Sequence, residues 1–224
     1  MQVTEEIRVE CLAASLAREL GVTQQTAWFL AHRIRETWLA RSNATGMGPI
    51  VEVDETYIGG KEKNKHSDKK AYAGRGPIGK QIVVGVVERE GRVSTNPVRA
   101  ASSATLQDFS INRTQPGAPV CTDPFKAYGG LEGYNHEVVN HSAKEFVRGI
   151  AHTNGTESFW ALLRREYYGI YHYMSMKHLH RYINEFSFRH DTAKVDIMQF
   201  IAMTVARMKD RRLTYKELVN VTQT

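Results

Sequence analysis

Leu12, Leu16 and Leu20 recur at helical spacing, Gly21 supplies a left-handed stop, and Thr23 can cap a following helix. That second helix places Ala27, Leu30, Ala31, Ile34 and Trp38 on one face. Two short helices joined by a glycine-containing turn predict a helix-turn-helix module, with Gln24, Gln25 and Thr26 at the N-terminus of the groove-entering helix. His32, Arg33, Arg35 and Arg41 gather toward its far end, where they suit DNA contact. A plain helical hairpin is the other reading, since residues 1–48 carry five Arg and five Asp or Glu and no net charge.

Asn43 to Pro49 forms a joint rich in small and polar residues, after which Ile50, Val51 and Val53 open a β-branched strand. Gln81 to Glu88 is a near-continuous apolar run, as expected of a strand covered on both faces. Arg92 to Arg99 can return beside it through Glu90-Gly91. Helical character follows from Ser103 to Ile111, then strands at Ala118 to Thr122 and His136 to Asn140, and a longer helix from about Asn154 to Tyr168. The resulting order, β-β-β-α-β-α-β-α, predicts an α/β fold with a mixed sheet and flanking helices. Ser94 to Pro97 and Ser110 to Thr114 fit that pattern least regularly. Leu179, Tyr182, Ile183 and Phe186 mark a further amphipathic helix, and Ile197, Phe200, Ile201, Val205 and Met208 mark the last. The expected division is a DNA-binding module at 1–48, a main domain at 49–190 and a helical extension at 191–224.

Charge narrows the partner. Thirty Lys and Arg against 24 Asp and Glu give +6 and a pI near 9.3, which favours a polyanion. Most of the excess sits in one place: Lys61, Lys63, Lys65, Lys69, Lys70, Arg75 and Lys80 face only Glu62 and Asp68, a net +5. With its glycines, this segment reads as a basic loop that grips phosphates without reading sequence. Cys11 and Cys121 lie far apart and build neither a disulfide framework nor a zinc ribbon, and no apolar run has the length of a membrane span. A soluble protein of the reducing cytoplasm is expected. His136, His141 and His152 match no compact zinc spacing. Trp160, Tyr167, Tyr168, Tyr171 and Tyr173 fit a core better than a base-stacking surface.

Three acids carry the candidate chemistry: Asp54 in the first strand, Asp123 at the end of a later strand, and Glu157 early in a helix. Hard divalent cations such as Mg²⁺ or Mn²⁺ take oxygen ligands, and two of them about 4 Å apart stabilise both oxygens of a phosphodiester displacement. Glu157 follows Asp123 by 34 positions, and Arg164 lies two helical turns beyond Glu157 on the same face. Taken singly, each acid has an ordinary reading: a turn before Pro124 for Asp123, a capping box with Asn154 for Glu157, a buried ion pair for Asp54.

The long motifs that contain these acids are more specific than the acids alone. Val51-Glu-Val-Asp-Glu-Thr-Tyr-Ile-Gly-Gly-Lys-Glu-Lys-Asn-Lys-His66 resembles the first catalytic block of a bacterial insertion-sequence transposase subgroup, the ISXO type, within the DDE superfamily. Thr122-Asp-Pro-Phe-Lys-Ala-Tyr128, Asn135 to Arg148 and His152-Thr-Asn-Gly-Thr-Glu-Ser-Phe-Trp160 resemble later blocks in the same order. The resemblance implies a ribonuclease-H-like catalytic core that cleaves and rejoins DNA with two Mg²⁺ or Mn²⁺ ions, assembled as a homo-oligomer on double-stranded DNA. It implies metal binding by Asp54 and Asp123. For the third ligand the subgroup carries Asn or Glu followed by Lys; Glu157 is preferred for its spacing and for Arg164, and Asn154 stays open. No Ser or Tyr nucleophile is required by such chemistry. Relatives often carry a cysteine-rich zinc segment ahead of the helix-turn-helix, which this sequence lacks. A non-catalytic DNA-binding relic and a nuclease of the same fold are the rival expectations, separated by metal-dependent nicking and by strand transfer respectively.

Overall fold

The computed structural model describes residues 11–39, 46–60, 79–89, 91–130, 133–139, 152–209 and 211–220. The basic segment at Lys61, Lys63, Lys65, Lys69 and Lys70, together with Arg41 and His141, lies outside them. The chain divides into two compact units, Arg41–Leu162 and Met1–Ala40 with Leu163–Thr224.

The first unit is built on a five-stranded mixed sheet of order β3-β2-β1-β4-β5, comprising β1 (Val51–Ile58), β2 (Gln81–Glu88), β3 (Val93–Val98), β4 (Pro119–Thr122) and β5 (Asn135–Val138). β1 pairs antiparallel with β2, and β2 with β3, the second pairing as the hairpin signal at Gly91 predicts. β4 runs parallel to β1, and β5 parallel to β4. Pro97 is accommodated because β3 is an edge strand, where a missing N–H costs no ladder bond. Helix α3 (Ser103–Ile111) starts at Ser102, whose side chain accepts from the Thr105 amide, and the irregular Ser110 turns its hydroxyl back to the Leu106 carbonyl. Between β4 and β5 the expected helix is reduced to one 3₁₀ turn, Lys126–Tyr128. So short a link suffices because β5 is only four residues long.

Alternation along the strands sorts side chains to two faces. Val51, Val53, Val84, Val86 and Val120 join Leu106, Phe109 and Tyr128 in the core under α3. On the other face lies the start of α4 (Asn154–Glu166), with Phe159 and Trp160 buried. Gly85, in the middle of β2, makes room for it: a Cβ there would stand 2.7 Å from the Trp160 ring.

The second unit is helical. It contains α1 (Cys11–Leu20), α2 (Gln24–Thr37), a π-helical turn at Tyr167–Tyr171, α5 (Leu179–Asp191), α6 (Ile197–Met208) and α7 (Tyr215–Asn220). Gly21 takes φ +66° after α1, and Thr23 accepts from the Thr26 amide to cap α2, both as the sequence predicts. The buried face of α2 departs from expectation. Ala27, Ala31 and Trp38 are buried as predicted, but Leu30 is 37% exposed while Trp28, His32 and Arg35 are buried. Arg35 is covered because Glu185 on α5 receives its Nε at 2.8 Å and its guanidinium lies 4.2 Å from the Tyr182 ring centre. His32 packs edge-on against Trp28 and Tyr182, with the His178 ring 4.8 Å away. Trp38 stacks on Phe188 and donates to Thr204.

Two expected outcomes follow from this packing. Gly85→Ala must displace an indole from a filled core, so it should destabilise the sheet unit by about 1–3 kcal/mol, read as a lower urea midpoint. The helical unit should lose stability in acid. Burial and then Arg181 push His178 down to about 3 and His180 down to about 4, while burial and Arg35 push His32 well below its ordinary value. The unfolded chain takes up these protons below about pH 6.5 and the folded one does not, so stability is full above that pH and falls as pH drops toward about 4 to 3. Urea midpoints compared at about pH 7.5 and about pH 5 test this, and His178→Phe should flatten the difference.

Candidate active site

The parallel ladder between β1 and β4 pairs Val51 with Val120, Glu52 with Cys121 and Val53 with Thr122. Continued by one residue, the same register sets Asp54, midway along β1, beside Asp123, the residue that follows β4. Residues in parallel register share a face, so both carboxylates rise on the α4 side of the sheet.

Electrostatics show that the two acids sense one another. Asp54 is pushed up to about 7, first by burial, then by the negative charges of Glu55 and Asp123. Its Oδ1 accepts from the Glu55 amide at 2.8 Å, which opposes the rise. The buried Trp160 indole N–H also favours the ionised form, short of full hydrogen-bond geometry. Glu55 faces the core side, where the buried Tyr128 hydroxyl donates to its Oε2 at 2.8 Å. Burial raises Glu55 as well, Asp123 adds to the rise and the Tyr128 bond resists it. Tyr128 is itself pushed up by burial and by Glu55, so it remains a proton donor.

Asp123 is held from two sides. Thr153, just before α4, donates to its Oδ1 at 3.4 Å, and Thr122 Oγ1 donates to its carbonyl at 2.9 Å. The Thr122 hydroxyl has one proton and spends it there, so His136 Nε2, at 2.8 Å, is the donor to Thr122. Burial holds His136 below its ordinary value, in keeping with a neutral ring protonated on Nε2.

Glu157 and Asn154 are both exposed in the first turn of α4. Helical phase separates them. Thr153, Glu157 and Trp160 follow one another at i, i+4 and i+7 along a single stripe, and the two ends of that stripe meet Asp123 and Asp54. Asn154 is turned about 100° away from Thr153. Arg164 continues the stripe and is exposed. Among the described residues no group of three or more His, Cys, Asp or Glu stands in ligand geometry for a metal. The donor set at Asp54 and Asp123 nonetheless fits a hard cation: it consists of carboxylate oxygens, and both charges acting on Asp54 are negative.

Sequence reasoning passed over two residues here. Glu55 was hidden by its neighbour Asp54, although a second acid at a core-facing strand position is itself a signal. Glu52 was read as part of a motif, but it is 1% exposed and accepts from the Gly155 and Thr156 amides at the start of α4. Of the residues expected to meet DNA, Gln24 is half-buried, Gln25 is exposed with its amide on the Tyr215 hydroxyl at 2.6 Å, and Thr26 is exposed against Thr23. Arg33 is exposed over the Phe29 ring. Arg35 is committed to Glu185 in the interior, so its charge is not presented to a ligand.

Among the described residues no helix is long and apolar enough to cross a membrane. Residues 45–191 match the ISXO2-like transposase domain. The chain is also 28% identical over 172 residues to a protein of Halobacterium salinarum described as an uncharacterized protein in transposable element ISH50. That match takes in 71% of this chain and 58% of the relative's length. Asp54 and Asp123 lie inside the matched region, and the extent of the match establishes that this chain belongs to the ISXO2-like transposase domain family.

Proposed function

We propose that the protein is a DNA transposase that cleaves the ends of an insertion sequence and joins them to target DNA, in the cytoplasm, through a ribonuclease-H-like core. The observation that carries this reading is the continuation of the β1–β4 register into Asp54 and Asp123, with Asp54 raised to about 7 by burial and then by the charges of Glu55 and Asp123. The family match and the mixed sheet support it.

In this reading Asp54 and Asp123 hold divalent metal, with Glu157 as the third ligand and Asn154 as the alternative. Two bound Mg²⁺ or Mn²⁺ ions would supply Lewis-acid stabilisation to the attacking and departing oxygens. A bound cation would offset the mutual repulsion of the two carboxylates. Thr153 and the backbone amide of Glu55 keep the two carboxylates oriented. Water attacks phosphorus at the element's end, the bond from phosphorus to the 3′ oxygen breaks, and the departing oxygen leaves as a 3′-hydroxyl. That hydroxyl then attacks a target phosphodiester and displaces its 3′ oxygen, so no protein side chain becomes covalently attached. Arg164 and the lysines at 61, 63, 65, 69 and 70 are assigned to the DNA backbone. Helices α1 and α2 are assigned to recognition of the element's ends as a helix-turn-helix within residues 1–48, and the protein is expected to act as a homo-oligomer on DNA.

Asp54→Asn and Asp123→Asn should each reduce metal-dependent nicking of labelled terminal-repeat DNA on the order of 10³-fold while the fold persists. Cleavage that survives either change refutes the scheme. In the same assay Glu157→Gln should lose on the order of 100-fold and Asn154→Ala far less; full activity in Glu157→Gln would transfer the role to Asn154. Replacing Gln24, Thr26 and Arg33 together by alanine should weaken binding to the cognate ends about tenfold, and unchanged binding in a gel-shift titration would remove α2 from the interface.

A further inference from the structure

Glu52 stands two positions before Asp54 on the same face of β1, with its carboxylate buried. Its Oε2 accepts from the backbone amides of Gly155 at 2.7 Å and Thr156 at 3.1 Å. On its other oxygen, Arg89 Nη2 donates at 3.3 Å and His152 Nδ1 lies 3.2 Å away. A Cβ on Gly155 would stand 2.7 Å from Oε2, so only glycine leaves room for this contact.

The arrangement is an unusual way to begin a helix. The first amides of any helix lack intrahelical partners and are normally met by the side chain of the residue just before it. Thr153 is the residue in that place, yet its hydroxyl is turned to Asp123. A distant strand residue caps the Gly155 and Thr156 amides, and an anion at a helix N-terminus is favoured by the helix dipole as well. The first turn of α4 is thereby tied to both acid-bearing strands: to β1 through Glu52 and to the end of β4 through Thr153 and Asp123. Two anchors at one end of a rigid helix fix both its height and its rotation, and Glu157 follows the two capped amides directly.

We propose that Glu52 is a positioning residue: by capping α4 from within β1, it fixes the height and rotation of the first turn of α4, and with them the direction in which Glu157 is presented, without itself touching metal or DNA. This rests on the assignment of Glu157 as the third ligand. Glu52→Gln puts an amide in place of one acceptor oxygen, and Gly155→Ala drives a methyl group into the carboxylate while leaving its charge intact. Outer groups that orient ligands commonly govern metal affinity by about 10- to 100-fold.

The test measures Mn²⁺ affinity of the full chain by the loss of the free-ion electron paramagnetic signal, alongside thermal unfolding. Wild type, Glu52→Gln, Gly155→Ala, Glu157→Gln and each combination with Glu157→Gln are compared, with Asp54→Asn as control. Glu52→Gln should bind Mn²⁺ at least about tenfold more weakly, and adding Glu157→Gln should cost little more, because Glu157 is already out of place. Additive losses, or wild-type affinity in a variant that merely melts earlier, would overturn the proposal. If Glu52→Gln fails to fold, Gly155→Ala carries the same comparison. Loss of Mn²⁺ binding in Asp54→Asn with none in Glu52→Gln or Gly155→Ala defeats this inference alone. Equal binding by wild type and Asp54→Asn defeats the functional reading and this inference with it.

Discussion

Carboxylates held close together in a partly buried place repel one another, and a fold that keeps them so must be over-determined around them. Asp54, Glu55 and Asp123 are in that position. The sheet meets the demand with a separate restraint for each: a backbone amide on Asp54, the Tyr128 hydroxyl on Glu55, and the Thr153 hydroxyl on Asp123. The valine-rich lower face of the sheet supplies the rigidity against which these restraints act. Positive charge, the simplest remedy for acidic crowding, is placed one step away, where Arg89 serves Glu52.

The helical unit solves a different electrostatic problem by the opposite means. Its interior contains a buried cation, Arg35, and it is neutralised directly by Glu185 and by aromatic faces rather than left in tension. Buried ion pairs of this kind often give little net stability, because desolvation offsets their attraction. What the pair does fix is which face of α2 meets α5. Outside this interior, α6 leaves Ile197, Met198, Ile201 and Val205 largely exposed.

Much of this was readable from local signals. The β2–β3 hairpin, the Gly21 stop, the Thr23 cap and the apolar periodicity of α5 depend on a few neighbouring residues, and each recurs in the structure; α6 also forms where its periodicity places it, but its apolar face stays largely exposed. Asp54 and Asp123 were legible because each ends a β-branched run inside a long motif. The burial of His32 and Arg35 was not, since a polar residue joins an interior only when its partner, here 150 positions away, is known. Glu52 escaped for the same reason: its partners are backbone amides 103 and 104 positions on, and amides carry no sequence signature. The helical phase that separates Glu157 from Asn154 relative to Thr153 and Trp160 is likewise visible only in three dimensions. The expected helix after β4 failed because a four-residue parallel strand needs little chain to return.

The ladder joining β1 to β4 is only three residue pairs long, yet it decides where Asp123 points. Side chains alternate with a period of two, so a shift of β4 by a single place would turn Asp123 under the sheet among the valines and bring Thr122 up in its stead. Length changes in the bend preceding Pro119 can be taken up by the loop, whereas one residue gained or lost between Pro119 and Asp123 turns Asp123 to the opposite face of the sheet. The site's weakest dimension is therefore one of counting rather than of strength, and the brevity of β4 makes its alignment a matter of every residue.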